Sequence, residues 1–173
     1  VSTFSGPFHW TFQALYAKDV IGVSNLQWGL VGTASLVTGL VAGIPMGRLA
    51  DRIGKVRSLI LAWIPWFIFV PLFILTRNFN TLLGLFVFNS LGFALYSPAY
   101  LSLQGDMMPR ESRGRIMALF GMLRNLVIIP ASSIAGFLYE LNPVYPFIVN
   151  LILEIGGFII LVLLVKEPEN REV

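Results

Sequence analysis

Gly47-Arg48-Leu49-Ala50-Asp51-Arg52-Ile53-Gly54-Lys55-Val56-Arg57 is a run of glycine and charge set between two long apolar stretches. Charged residues make up only 12% of the chain, against about 25% in an ordinary soluble domain. So dense a charged run therefore marks a boundary between embedded segments. Gly47 and Gly54 suit a tight turn with close helix approach, and Arg48, Arg52, Lys55 and Arg57 suit the anionic face of a bilayer. Asp51 is the odd member, since an acid gains nothing from an anionic surface. It is expected either to find a partner, an arginine or a helix N-terminus on a neighbouring cytoplasmic loop, or to sit in a solvated charge cluster.

Outward from this run the chain is apolar at membrane scale. It has 173 residues, 56% of them hydrophobic, and a mean hydropathy of +0.78. Apolar runs fall at roughly 3–20, 27–47, 57–76, 79–103, 116–138 and 144–165. A spanning helix takes about 20 residues, so six consume about 120 and leave little for loops. Hydrocarbon demands that every backbone donor and acceptor be satisfied within the segment, and the in/out alternation of barrel strands is missing. The expected fold is an all-α membrane protein in which residues 1–173 form a single bundle of six transmembrane helices. The first run is the most polar, diluted by Ser2, Thr3, Ser5, His9, Thr11 and Gln13.

The basic residues orient the bundle. Four lie in the 48–57 loop; Arg110, Arg113 and Arg115 lie in the 106–115 loop, and Lys166 and Arg171 in the tail. Lys18 and Arg77 fall on the opposite side, and Arg124 lies inside the fifth span. By the positive-inside rule both loops and both ends are cytoplasmic. The pI near 9.5 is then a consequence of topology, and no nucleic-acid partner is expected. With no cysteine and one histidine, a thiolate nucleophile, a disulfide scaffold and a multi-histidine metal site are excluded, and no metal or cofactor is expected. No nucleotide-binding G-x-x-x-x-G-K-[ST] is present. The chain opens at Val1 in mid-hydrophobic sequence without a signal peptide, as an excerpted or processed chain would.

The charged run resembles the signature of the major facilitator superfamily of secondary transporters, Gly-x-Leu-Ala-Asp-Arg-x-Gly followed by basic residues, found between the second and third helices of each six-helix half. Gly47, Leu49, Ala50, Asp51, Arg52, Gly54 and Lys55 match; Val56 stands where a second basic residue is usual, with Arg57 one further on. Asp106-Met107-Met108-Pro109-Arg110-Glu111-Ser112-Arg113-Gly114-Arg115 is similar to the pattern between the family's fourth and fifth helices. The resemblance implies a half bundle with a 3+3 inverted repeat, and a gating loop formed by Gly47, Asp51, Arg52, Gly54, Lys55 and Arg57 with Asp106, Arg113 and Arg115. It also implies a second six-helix half as partner, in the same polypeptide or as a homodimer mate. Phe88 stands four residues before Gly92, where the family's first half usually has arginine. The fifth span offers only Pro130 and Gly136 in place of a Gly-Pro-rich motif. Both features, with the short charged tail, favour the C-terminal half.

Within the spans, His9, Gln13 and Tyr16 fall on one helical face, as do Asn89, Phe93, Tyr96 and Tyr100. The resemblance makes the first and fourth helices cavity walls. These faces, with Asn125 and Ser132 on the fifth span, are then expected to line a site for a small-molecule substrate, with a proton-coupling role left open to His9 by its titration range. The plainer alternative is interhelical packing with polar side chains as glue. Arg124 and Glu154 fall at similar depth near mid-bilayer and are expected to pair, as a structural ion pair or as a substrate or proton site. Gly84 and Gly92, and Gly32, Gly39 and Gly43, would let backbones approach closely.

The expected function is transmembrane transport of a small molecule by alternating access. A non-transporting membrane scaffold with the same fold is the alternative. An intramembrane serine enzyme lacks both a Gly-x-Ser-x-Gly elbow and a suitably placed base.

Overall fold

The computed structural model covers residues 2–106, 108–109 and 111–165. Arg110, Lys166, Arg171 and the rest of the 166–173 tail lie outside the described residues. All regular structure among the described residues is helical: α1 (Ser2–Trp10), α2 (Gln13–Tyr16), a π-helical turn (Ala17–Ile21), α3 (Asn25–Ile53), α4 (Lys55–Leu75), α5 (Phe79–Asp106), α6 (Arg113–Leu141) and α7 (Tyr145–Leu164). Five of these, α3 to α7, are long and apolar enough to cross a membrane.

The first apolar run is not one helix. Pro7 supplies no N–H, the chain tightens where the Phe12 N–H reaches the His9 carbonyl at 3.3 Å, and helix resumes only at Gln13. Its far end closes on Gly22, which is left-handed at φ 82°, with the Val23 N–H bonded to the Ala17 carbonyl at 3.1 Å. Of the polar residues that dilute this run, Thr11 lies in the interruption and His9 and Gln13 flank it.

A capping box starts α3: Ser24 Oγ accepts from the Gln27 N–H at 3.2 Å, and Gln27 Oε1 accepts from the Ser24 N–H at 2.8 Å. The helix then runs for 29 residues, about 44 Å at 1.5 Å per residue, well beyond an approximately 30 Å hydrocarbon core. Its last turns carry Gly47 to Ile53, so most of the expected 48–57 loop is helix. The turn contracts to Gly54, whose φ of 96° is open to glycine and strained for other residues. Its N–H bonds back to the Ala50 carbonyl at 3.1 Å, while its carbonyl accepts the Ser58 hydroxyl at 2.7 Å. Gly47, by contrast, has open space where a Cβ would stand.

Two helix groups build the bundle. α5 packs on α3 and α4; α1 packs on α6 and α7; α4 against α7 joins them. One core cluster gathers Tyr16, Val31, Phe69, Phe73, Leu82 and Phe147, a second Ala50, Leu59, Ala62, Leu95 and Leu103, and a third Phe8, Ala131 and Ala135. Of the glycines expected to bring helices together, only Gly92 does so: a Cβ there would come within 3.0 Å of the Ala62 carbonyl oxygen and of Pro65. Gly32, Gly39, Gly43 and Gly84 have nothing within 4 Å of that position.

Candidate functional site

A cavity of about 720 Å³ opens between α1, α3, α4 and α5. α1 and α2 contribute His9, Trp10 and Gln13, α3 contributes Ser35, Gly39 and Gly43, and α4 contributes Trp66. α5 supplies Asn89, Ser90, Phe93 and Ser97. No carboxylate, ammonium or guanidinium group is among its lining residues. Its walls are therefore aromatic and aliphatic with a few neutral hydrogen-bonding groups, the usual constitution of a small-molecule site.

His9 sits at the inner edge, 2% exposed. Its ring meets Trp66 edge to face at a centroid distance of 4.4 Å, and Phe69 and Phe147 at 5.6 Å each. Gln13, one turn on, hydrogen-bonds the His9 Nε2. Three buried polar atoms on cavity-lining residues have no protein partner among the described residues: His9 Nδ1, Ser35 Oγ and Trp66 Nε1. A buried polar group left unpaired costs about 1–3 kcal/mol, and these three atoms lie beneath the wall's surface, closed off from the cavity itself.

Of the expected wall residues, His9, Gln13, Asn89 and Phe93 reach the cavity. Tyr16 does not: the break after Trp10 interrupts the helical phase, leaving Tyr16 fully buried with its hydroxyl donating to the Ile74 carbonyl at 3.0 Å. Tyr96 and Tyr100 also miss it. They stack on each other with ring centroids 5.4 Å apart, and Tyr96 packs beside the cluster of Leu59, Ala99 and Leu103. At 100° per residue, the centre of the α5 face that opens to the cavity is turned roughly 80° from the expected stripe, so Asn89 and Phe93 reach the cavity at its edge while Tyr96 and Tyr100 fall outside it. Ser90 and Ser97 lie nearer the centre of that face. Asn125 is exposed on α6, outside the cavity.

The expected pairing of Arg124 with Glu154 is replaced by another arrangement. Arg124 is exposed on α6. Glu154 is 7% exposed on α7 and accepts a hydrogen bond from the Ser5 hydroxyl of α1. α7 packs closely on α1 and turns the acid towards Ser5, whereas Arg124 lies on the outward side of α6. Fully buried Asn150, one turn before Glu154, donates to the Ser5 carbonyl at 2.9 Å. Nothing in the apolar pattern of the last span singles out Asn150. The signal available was its i, i+4 spacing to Glu154.

At the charged end, the ion pair joins Lys55 to Asp106, linking the start of α4 to the end of α5. Arg113 donates to the Gly105 carbonyl and caps α5 from the first turn of α6. Asp51 is exposed and has no ion pair or hydrogen bond from its side chain among the described residues, as in the solvated alternative to a partner on a neighbouring loop. Its neighbour Ala50 faces the core, which leaves Asp51 on the outward side of the same turn. Arg52, Arg57 and Arg115 are exposed as well.

A bundle of membrane-length helices beside an open, mostly apolar cavity, with a charged signature at the helix ends, defines a polytopic helical membrane protein. The chain matches the Major Facilitator Superfamily over residues 1–173 and belongs to it. It is thus an integral, multi-pass membrane protein. It is 27% identical over 160 residues to an MFS-type transporter, MJ1317, of Methanocaldococcus jannaschii, covering 89% of this chain and 40% of that protein. It is 24% identical over 156 residues to the quinolone resistance protein NorA of Staphylococcus aureus, covering 90% of this chain and 40% of that protein. The chain spans about 40% of the length of these curated relatives.

Proposed function

We propose that this chain is one six-helix half of a secondary transporter that moves a small molecule across the membrane by alternating access. The observation that carries the reading is the cavity walled by α1, α3, α4 and α5, where aromatic rings stand beside the neutral polar side chains of Gln13, Asn89, Ser90 and Ser97. In the proposed architecture α1, α2 and the π-helical turn together act as the first span. The 3+3 inverted repeat is supported by the packing pattern. If the first three spans exchange with the last three, the contacts of α5 with α3 and α4 become those of α1 with α6 and α7. Phe88 in place of the first-half arginine favours the C-terminal position.

The basic ends of α3, α4 and α6 are placed in the cytoplasm by the positive-inside rule. Gly47, Asp51 and Arg52, exposed or unencumbered within this bundle, are proposed to meet the second half there, with Lys55, Arg57, Asp106, Arg113 and Arg115 completing the gate. That half is either the rest of the same polypeptide or a second copy. The absence of a fixed charge from the wall favours an uncharged, substantially apolar or aromatic substrate.

The direct test is uptake of fluorescent aromatic compounds into proteoliposomes containing the full-length protein, with and without an imposed ion gradient. Gradient-dependent accumulation that Asn89→Ala or Ser97→Phe abolishes supports the reading. Equal retention by empty liposomes and by both variants contradicts it.

A further inference from the structure

The aromatic side chains on the cavity wall fall into two groups. His9, Trp66 and Phe86 are held in the core: Trp66 stacks on Phe69 with ring centroids 5.8 Å apart, and Phe86 meets Phe69 edge to face at 5.0 Å. Trp10 and Phe93 have no ring partner among the described residues and are 62% and 67% exposed.

Trp10 nevertheless has a defined seat. Side chains in a helix lean back over the preceding turn, which lays the Trp10 indole on Gly6, four residues earlier in α1. A Cβ built on Gly6 would stand 2.9 Å from Cζ2 of that indole and 3.0 Å from Cη2, well inside the roughly 3.5–4.0 Å at which carbon atoms pack best. Helix propensity alone favours alanine over glycine at such a position, so what the glycine provides is room for the ring. α1 ends at Trp10, and no further turn of it covers the indole. The ring is therefore held by the backbone of its own helix and still open to the cavity it lines.

The wall around Trp10 carries no fixed charge and offers neutral amide and hydroxyl groups at Gln13, Asn89, Ser90 and Ser97. An uncovered ring in such a wall gains most from a second π-system, because ring–ring contacts add to what burial alone gives. We propose that Trp10 is the residue by which the cavity distinguishes planar aromatic compounds from saturated compounds of the same size, and that Gly6 is its positioning residue. Gly6 acts through the indole alone. The far end of the ring is the part that meets an added methyl, so the ring swings off its seat while the backbone stays in place. The inference deepens the transport reading and rests on it for the bound compound being the transported one.

Binding to the full-length protein in lipid nanodiscs tests this without any gradient. The probes are acridone and 1-naphthol, with decahydro-1-naphthol as the saturated counterpart, each corrected for uptake by empty nanodiscs. Trp10→Leu should weaken both aromatic probes about two- to tenfold and leave the saturated alcohol within about twofold. Trp10→Phe should keep most of the aromatic affinity. Gly6→Ala should fold with an unlowered melting temperature, weaken the aromatic probes as Trp10→Leu does, and add nothing further when combined with it. A wild type that binds neither aromatic probe, or a Trp10→Leu variant that loses aromatic and saturated probes equally or loses neither, overturns the role of Trp10. Unchanged aromatic binding in Gly6→Ala, or a loss that persists in full on the Trp10→Leu background, overturns the positioning role of Gly6. Aromatic discrimination that is intact in a protein accumulating no compound in proteoliposomes counts against the transport reading alone.

Discussion

His9 and Trp66 meet edge to face across the boundary between α1 and α4, their ring centroids 4.4 Å apart. This contact fixes the inner corner of the cavity, because both residues line it and each retains a buried nitrogen without a protein partner. Removing the ring by His9→Ala should destabilise the protein by roughly 3 kcal/mol, since several aromatic contacts go with it. His9→Phe keeps the volume and should cost less than about 1.5 kcal/mol. It should nevertheless weaken ligand-induced quenching of Trp66, as the Gln13 hydrogen bond is lost. Denaturant unfolding in mixed micelles, paired with fluorescence titration, separates the two effects.

Gly92 is where α5 comes closest to α4. Gly92→Ala places a methyl 3.0 Å from the Ala62 carbonyl oxygen and Pro65, and overpacking of this kind costs about 1–3 kcal/mol. Gly39→Ala, on the cavity wall with nothing within 4 Å of the added methyl, should leave the melting temperature unchanged. Thermal unfolding followed by size-exclusion chromatography distinguishes them.

Two glycines of the charged signature should behave differently for a structural reason. Gly54→Ala strains a backbone at φ 96° and should lose about 1–2 kcal/mol. Gly47 is helical with free space around it, so Gly47→Ala should not lower stability. A Gly47→Leu or Asp51→Asn variant that folds normally yet loses uptake would place those residues at a contact outside this bundle. Unchanged uptake would remove them from the gate.

The Lys55 to Asp106 pair is about one-third exposed on each side, with side-chain exposures of 31% and 38%. Such pairs contribute roughly 0–1 kcal/mol and fade with salt. Lys55→Ala and Asp106→Ala should thus barely change stability. Any loss of transport beyond that should be restored by the charge swap Lys55→Asp with Asp106→Lys. A double-mutant cycle read by uptake rate measures the coupling.

Much of this architecture was legible in the chain because two signals are nearly deterministic in a membrane: the length of an apolar run and the placement of arginine and lysine. α3 to α7 lie where the runs predict. Helix ends were less legible, because α3 continues through Gly47 to Ile53 after its apolarity stops. His9, Gln13 and Asn89 were found by helical phase. Tyr16 was misplaced because phase does not survive the break after Trp10, and Tyr96 because a hydrophobic helix has no polar face to reveal which side is turned inward. Glu154 was recognisable as an intramembrane acid. Its partner was not, since depth along two helices says nothing of the direction each side chain takes.

The central claim is that the cavity between α1, α3, α4 and α5 is the substrate path, open to each side of the membrane in turn. The chain contains no cysteine, so single cysteines introduced into it report with no background from this segment. The decisive measurement is labelling of Ser97→Cys in sealed vesicles by a membrane-impermeant maleimide added from either side. The account predicts labelling from both faces, slowed by transported compounds, while Tyr96→Cys stays unreactive. Labelling confined to one face and indifferent to every transported compound would contradict it.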